Sequence, residues 1–107
     1  RHPQGAVPSE LLLTIEEMGK VAKLISQKTG EVISSKDIEK AVELETDDDQ
    51  MDKLHRQLFV ALLDDNWAHG IETAIDITLI GRYYERYADH AVSVSRRVYF
   101  LVTGKFA

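Results

Sequence analysis

The chain contains no cysteine, and this absence removes several kinds of chemistry at once. Disulfide bonds, thiolate metal sites and cysteine nucleophiles are all excluded. Proline is nearly absent as well, since Pro3 and Pro8 are the only two and both precede residue 9. The rest of the chain therefore lacks the residue that most strongly interrupts a helix. An absence of disulfides also fits a cytoplasmic location.

Positive charge and long apolar runs are scarce too, which narrows the class of partner. The 107 residues carry 18 Asp and Glu against 13 Lys and Arg, a formal net charge of −5. Such a chain is not expected to bind nucleic acid through its phosphates. No apolar run approaches the roughly 20 residues that cross a bilayer. The length and the ordinary apolar fraction of 44% predict one domain with a single modest core.

The sequence after Pro8 has apolar residues at helical spacing, and this pattern predicts three helices. After a linker at residues 1–8, the first helix is expected to begin at about residue 9, and the others to cover about residues 38–65 and 71–102. Ser34–Asp37 should cap the second helix, and Gly104 should stop the third. Trp67, in the loop, should fold back onto the end of the bundle. Long helices with short connections predict an all-α fold, an antiparallel three-helix bundle over residues 9–107.

Each predicted helix carries an apolar stripe, and the three stripes together define the expected core. Small residues in the third stripe should let a neighbouring helix approach closely. The predicted core residues are Leu11, Ile15, Met18, Ala22, Ile25, Leu44, Met51, Leu54, Leu58, Ala61, Leu62, Ile77, Ile80, Gly81, Tyr84, Ala88, Ala91, Ser95, Val98 and Val102.

Two acidic pairs are the most informative feature of the sequence. Asp48 and Asp52 lie four residues apart on the second predicted helix, as do Glu85 and Asp89 on the third. This spacing places both carboxylates of a pair on one helix face. The pairs are also equidistant from the turn near Trp67–His69. In an antiparallel hairpin, Asp48 should therefore face Asp89, and Asp52 should face Glu85.

Two interpretations of these acids stay open from the spacing alone. They could form a solvated flank in which Arg82 and Arg86 pair with Glu85 and Asp89 at little gain in stability. Alternatively, they are partly desolvated beside the apolar stripe, where carboxylates must be paired, protonated or bound to a cation. Consecutive Asp residues are unfavourable inside a helix, which favours the second interpretation. Oxygen ligands suit iron, manganese, magnesium or calcium, and they also hold zinc.

No catalytic constellation accompanies the acids, so we predict that the protein is not an enzyme. Di-iron carboxylate bundles use a Glu-x-x-His step on two helices, and the sequence has none. It also lacks a glycine-rich phosphate loop and a serine with histidine and acid at suitable spacing. His55 is expected near the core and His90 on the surface. The enzymatic alternative is a carboxylate metalloenzyme, and demonstrating it would require turnover of oxygen or of a phosphoester substrate.

Three segments of the chain resemble the PhoU family of phosphate-signalling proteins. Gly81–Val92 matches the family pattern Arg-x-x-Glu-Arg-x-Gly/Ala-Asp-His-Ala, and Asp48–His55 resembles the family's other acidic motif. Val98–Gly104 resembles the segment with which sequences of this family usually end. The three segments occur in the right order and span nearly the whole chain. Tyr84 and Tyr87 depart from the pattern, since aliphatic residues are more usual there.

The resemblance implies one three-helix repeat, the second of two in tandem. It also carries the first helix past Gly30 to about Ile33. It implies that Asp48, Asp52, Glu85 and Asp89 are metal ligands, with Asp49 as an auxiliary. The metal would be an iron or zinc cluster, with manganese or magnesium less favoured. The family binds the phosphate-specific ABC transporter and the phosphate-sensing histidine kinase at the cytoplasmic membrane face. It negatively regulates phosphate uptake and phosphate-starvation signalling, and so serves phosphate homeostasis.

Some apolar residues lie off the predicted core stripes. They are expected to cover a second bundle, supplied by a partner repeat or by a homodimer. The alternative function is a purely structural helical interaction module with solvated acids and no metal. The off-stripe residues are Phe59, Val60, Leu79 and Phe100.

Replacing Asp52 with Asn separates these alternatives. In a metal-loaded protein, Asp52→Asn should lower the melting temperature because a ligand is lost. In a metal-free protein with partly buried acids, it should raise the melting temperature because repulsion is relieved. Thermal unfolding with and without a chelator measures both effects. An unchanged melting temperature in both conditions would support full solvation of the acids.

Overall fold

The computed structural model describes residues 8–105, and across that range it contains three helices and no strand. The helices are α1 (Ser9–Ser35), α2 (Ile38–Leu62) and α3 (Gly70–Thr103). Each packs against both others, so the predicted all-α three-helix bundle is confirmed. None of the described helices is long and apolar enough to cross a bilayer. Residues 1–7 of the predicted linker, and residues 106–107, lie outside the described residues.

The connection between α1 and α2 depends on two residues. α1 continues two residues beyond its predicted end and stops at Lys36, whose backbone is left-handed with φ of 54°. Asp37 caps α2, and its carboxylate accepts hydrogen bonds from the backbone N–H groups of Glu39 and Lys40. The predicted cap is therefore confirmed at Asp37, whereas the preceding serines belong to α1.

The connection between α2 and α3 begins earlier than predicted, because α2 ends at Leu62. Asp64 turns its carboxylate to the backbone N–H of Asn66 at 2.8 Å, a local bond that competes with helix continuation. Trp67 packs against the core, as predicted, and its indole N–H donates to the carbonyl of Gly70 at 2.9 Å. The tryptophan therefore fixes the point at which the chain reverses into α3.

The core lies along the shared axis of the helices and largely follows the predicted stripes. Val102 is a wrong core prediction, since it is 45% exposed. α3 has 34 residues against 25 in α2, so its last turn extends beyond the start of α2. The buried apolar residues are Leu11, Met18, Val21, Ile25, Val32, Ala41, Leu44, Met51, Leu54, Leu58, Ile77, Ala88, Ala91 and Val92.

Gly81 packs tightly against two side chains of α2. A Cβ atom on Gly81 would lie 2.9 Å from His55 Cδ2 and 3.0 Å from Leu58 Cδ1. Only glycine fits without displacing these side chains, which confirms the prediction that a small residue admits the neighbouring helix here. The contact holds the two acid-bearing helices together one turn from Glu85.

Gly81→Ala should destabilise the protein, although alanine is the better helix former. Overpacking against His55 and Leu58 should exceed the gain in helix propensity and leave a net loss of about 1 kcal/mol in the free energy of unfolding. Gly30→Ala is the matched control, because nothing lies within 4 Å of its Cβ position. That substitution should stabilise the protein by roughly 0.5–1 kcal/mol. Urea unfolding measures both, and equal stabilisation would contradict the tight contact at Gly81.

Candidate metal site

Three carboxylates from two adjacent turns of α2 form a compact oxygen cluster. Asp48, Asp49 and Asp52 each offer one oxygen, and these oxygens lie within 4.8 Å of one another. Asp48 and Asp52 are half-buried, while Asp49 is exposed. Oxygen atoms at this spacing can share a hard or borderline cation.

Asp48 is the strained member of this cluster. Its Oδ1 atom is buried and has no hydrogen-bond partner. Burial is the largest cause that raises the pKa of Asp48 from 3.8 to about 6, and the negative charges of Asp52, Asp89 and Asp49 contribute to the same rise. A buried acceptor without a donor is costly. The residues present therefore fit a cation, which would satisfy this oxygen and offset the surrounding charge.

The acids of α3 occupy two different environments. Asp89 is exposed, and its charge contributes to the raised pKa of Asp48 across the helix interface. Glu85 instead lies beside His55, with 3.9 Å between Glu85 Oε2 and His55 Nδ1. Within residues 8–105, the compact cluster does not extend to Glu85 or Asp89. The four-ligand set of Asp48, Asp52, Glu85 and Asp89 remains a prediction.

Two further residues near these acids were anticipated in part. Asp49, an auxiliary ligand by the family resemblance, belongs to the compact cluster. His55 was expected near the core, and its side chain is 13% exposed and lies close to Glu85 and the ring of Phe59. The His55 and Phe59 rings have centroids 4.8 Å apart. The spacing of four between these two aromatic residues was the available signal.

Lys28 links α1 to the acidic segment of α2. Its Nζ lies 2.9 Å from Asp47 Oδ2 and 3.1 Å from Glu43 Oε1. Burial alone would lower the pKa of Lys28, but its contacts with Asp47 and Glu43 outweigh burial and raise that pKa. Asp47 is thereby paired, and it does not compete for a cation at the cluster.

Arg96 makes the corresponding link from α3. Its Nε and Nη2 atoms each lie 2.7 Å from an oxygen of Glu45, so the pair is bidentate. These contacts raise the pKa of Arg96, with a smaller contribution from the charge of Asp48. Because the guanidinium is bound to Glu45, Asp48 is left mainly among other acids.

The ion pairs that the solvated-flank interpretation allowed for Arg82 and Arg86 are not formed. Among the described residues, neither Arg82 nor Arg86 forms an ion pair with Glu85 or Asp89. The same contacts leave the cluster on α2 without a protein cation. The basic residues of the two helices therefore do not neutralise the site.

These features define an all-helical, three-helix bundle with an acidic cluster beside the interface of its last two helices. The family model of the PhoU domain matches residues 15–98. The chain belongs to the PhoU family, as its three motif segments indicated.

Relatives agree with this assignment over nearly the whole chain. The chain is 51% identical over 106 residues to the phosphate-specific transport system accessory protein PhoU homolog 2 of Mycobacterium tuberculosis, covering 99% of the chain and 50% of that protein. It is 50% identical over 106 residues to PhoU homolog 1 of Mycobacterium leprae, covering 99% and 48%. The chain thus spans about half the length of these curated relatives. No solved structure matches it significantly.

Metal-free protein should lose stability as pH rises through about 6. The raised pKa means that the folded protein holds the Asp48 proton more tightly than the unfolded chain does. This stabilisation is fully present below the unfolded pKa of 3.8 and is lost as pH rises through the folded pKa of about 6. Asp48→Asn should remove this part of the pH dependence and raise stability at pH 8. Urea unfolding in chelator between pH 4 and pH 8 measures it.

The matched control is Asp65→Asn, an exposed acid in the turn after α2. It removes the same charge without touching the cluster, so the pH dependence should persist. If the free energy of unfolding depended on pH identically in wild type and Asp48→Asn, the raised pKa assigned to Asp48 would be contradicted.

Proposed function

We propose that this chain is a regulator of phosphate uptake and of phosphate-starvation signalling. The proposal is supported by its membership of the PhoU family and by relatives whose names describe accessory proteins of a phosphate-specific transport system. The role is one of binding and not of catalysis. The partners are the phosphate-specific ABC transporter and the phosphate-sensing histidine kinase, contacted at the cytoplasmic face of the membrane.

Exposed apolar residues around the α2–α3 connection support a role in protein contacts. Val60, Leu63 and Ile71 are each more than 70% exposed. Phe59 and Ile75, on the same two helices, are also exposed, at 40% and 52%. Exposed apolar residues grouped at one end of a bundle mark interaction sites more often than scattered single residues do. This end of the bundle is the proposed contact surface.

We further propose that the acids of α2 and α3 hold a metal, with iron or zinc as the expected ion. The buried, unpartnered Oδ1 of Asp48 is the single observation that carries this proposal. Asp49 and Asp52 supply oxygens from adjacent positions, while Glu85 and Asp89 supply them from the facing helix. A bound cation would supply the positive charge that these carboxylates lack.

The chain's own residues define what such a site would do. Gly81 and the buried residues around it hold α2 and α3 together, so the acids cannot separate without loss of packing. His55 lies against Glu85 and would orient that carboxylate toward the interface. Neutralising the acids would then stabilise one register of α2 against α3. That register fixes the surface presented to partners.

A second candidate function is a structural helical module that binds no metal. Asp49 and Asp89 are exposed, and this observation favours it because water can solvate both carboxylates. The two candidates differ in metal content, which can be measured directly.

The proposed function is tested in a strain that lacks its own PhoU protein. Expression of this chain should lower phosphate uptake and the output of starvation genes when phosphate is ample. The double variant Asp48→Asn/Asp52→Asn should lose this effect because neutral amides bind a cation poorly, whereas Asp65→Asn should keep it. Phosphate uptake and a starvation-gene reporter are the readouts. If wild type and empty vector give the same values, the regulatory role is wrong.

Metal analysis of the purified proteins tests the proposed metal site independently of the proposed regulatory function. Wild type and Asp65→Asn should carry stoichiometric iron or zinc, and the double variant should carry none. Glu85→Gln should reduce metal content if α3 contributes ligands. A regulatory effect with no bound metal would favour the structural module over the metal site.

A further inference from the structure

The outer side of α3 carries a strip of basic and apolar residues that the proposed site does not use. At about 100° per residue, these residues fall within an arc of about 100° around the helix. They extend over about 33 Å of helix length at 1.5 Å per residue. We call this set the outer strip; it consists of Leu79, Arg82, Tyr83, Arg86, Arg97 and Leu101.

The charge on the outer strip has one sign. Between its first and last residue the arc contains no Asp or Glu, although the whole chain has a net charge of −5. Arg82, Arg86 and Arg97 are exposed and form no ion pair with any described residue. Arg96, directly beside Arg97, is bound instead to Glu45. The strip therefore keeps its positive charge available on an otherwise acidic protein.

Large apolar side chains lie between these arginines. Leu79 is 60% exposed, Tyr83 is 65% exposed and Leu101 is 75% exposed. Arginines and apolar side chains both recur along the outer strip, so one bound surface could contact both kinds of side chain at once. Tyr and Leu insert readily at a membrane interface, while Arg side chains reach the headgroups.

We propose that the outer strip docks on an anionic lipid surface, with its arginines on lipid phosphates and its apolar side chains among the upper acyl chains. Arginines interleaved with exposed Tyr and Leu on one side of a helix are the combination by which amphipathic helices bind anionic membrane surfaces. Glu85 and Asp89 lie outside the arc, on the side toward α2. The proposal goes beyond the regulatory role and is independent of metal binding.

Vesicle sedimentation with the purified chain tests this proposal. The chain should bind vesicles of equal phosphatidylglycerol and phosphatidylcholine, and it should bind pure phosphatidylcholine vesicles far more weakly. Raising the salt from 0.05 to about 0.5 M should release most of the protein, since salt screens the attraction. The triple variant Arg82→Gln/Arg86→Gln/Arg97→Gln should weaken binding about fivefold per arginine, and roughly a hundredfold in all.

The control variant is Lys23→Gln/Lys53→Gln/Arg56→Gln, which removes the same charge from exposed positions on α1 and α2. It should bind anionic vesicles within about twofold of wild type. Leu79→Ser/Leu101→Ser should weaken binding while its salt dependence persists. Circular dichroism verifies that each variant keeps its fold.

Three results would overturn the proposal. Equal weakening by the two triple variants would show an effect of net charge alone. Equal binding to neutral and anionic vesicles would show apolar adsorption without phosphate recognition. An absence of vesicle binding would leave the outer strip to an acidic protein partner and contradict lipid docking.

Discussion

Repulsion between carboxylates held together by apolar packing is the constraint on which the structure depends. Gly81 brings α3 against His55 and Leu58, and buried core residues pack α2 against α3. Asp48 is thereby kept among other acids, with a buried oxygen that has no donor. The core supplies the stability, and the acidic cluster opposes part of it. Such a conflict between local charge and global fold is typical of a functional site.

The other charges near the cluster are arranged differently. Lys28 neutralises Asp47 from α1, and Arg96 neutralises Glu45 from α3. These two pairs join α2 to both of its neighbours, and they precede the cluster by one and three positions along α2. Basic side chains are therefore close by, yet their positions commit them to other acids. The negative charge that remains is a local property of the cluster and not a simple result of the net charge.

The helical framework could be predicted closely from the sequence, because its signals are local. The cap at Asp37, the stop at Gly104 and the folding of Trp67 each depend on a few neighbouring residues. The equal distances of the acids from the turn also predicted an interaction between Asp48 and Asp89, which the raised pKa of Asp48 reflects. Periodicity failed at Val102, where the relative lengths of two helices decide burial.

The details of the candidate site were less predictable, because they depend on side-chain positions across the bundle. The pairing of Lys28 with Asp47 joins two helices and leaves no periodic signal in either one. Asp49 belongs to the compact cluster although it is exposed, a placement that its position next to Asp48 in the sequence does not by itself predict. Glu85 carried the expected spacing, yet its contact with His55 required knowledge of the approach at Gly81. Spacing located the acids, and packing determined their neighbours.

A crystal structure of the protein, with anomalous diffraction recorded at the iron and zinc absorption edges, tests the central claim most directly. The account predicts an anomalous peak beside the buried oxygen of Asp48, with oxygens of Asp49 and Asp52 around it and Asp89 opposite. A water molecule donating to that oxygen, with no anomalous peak in metal-supplemented crystals, would contradict it.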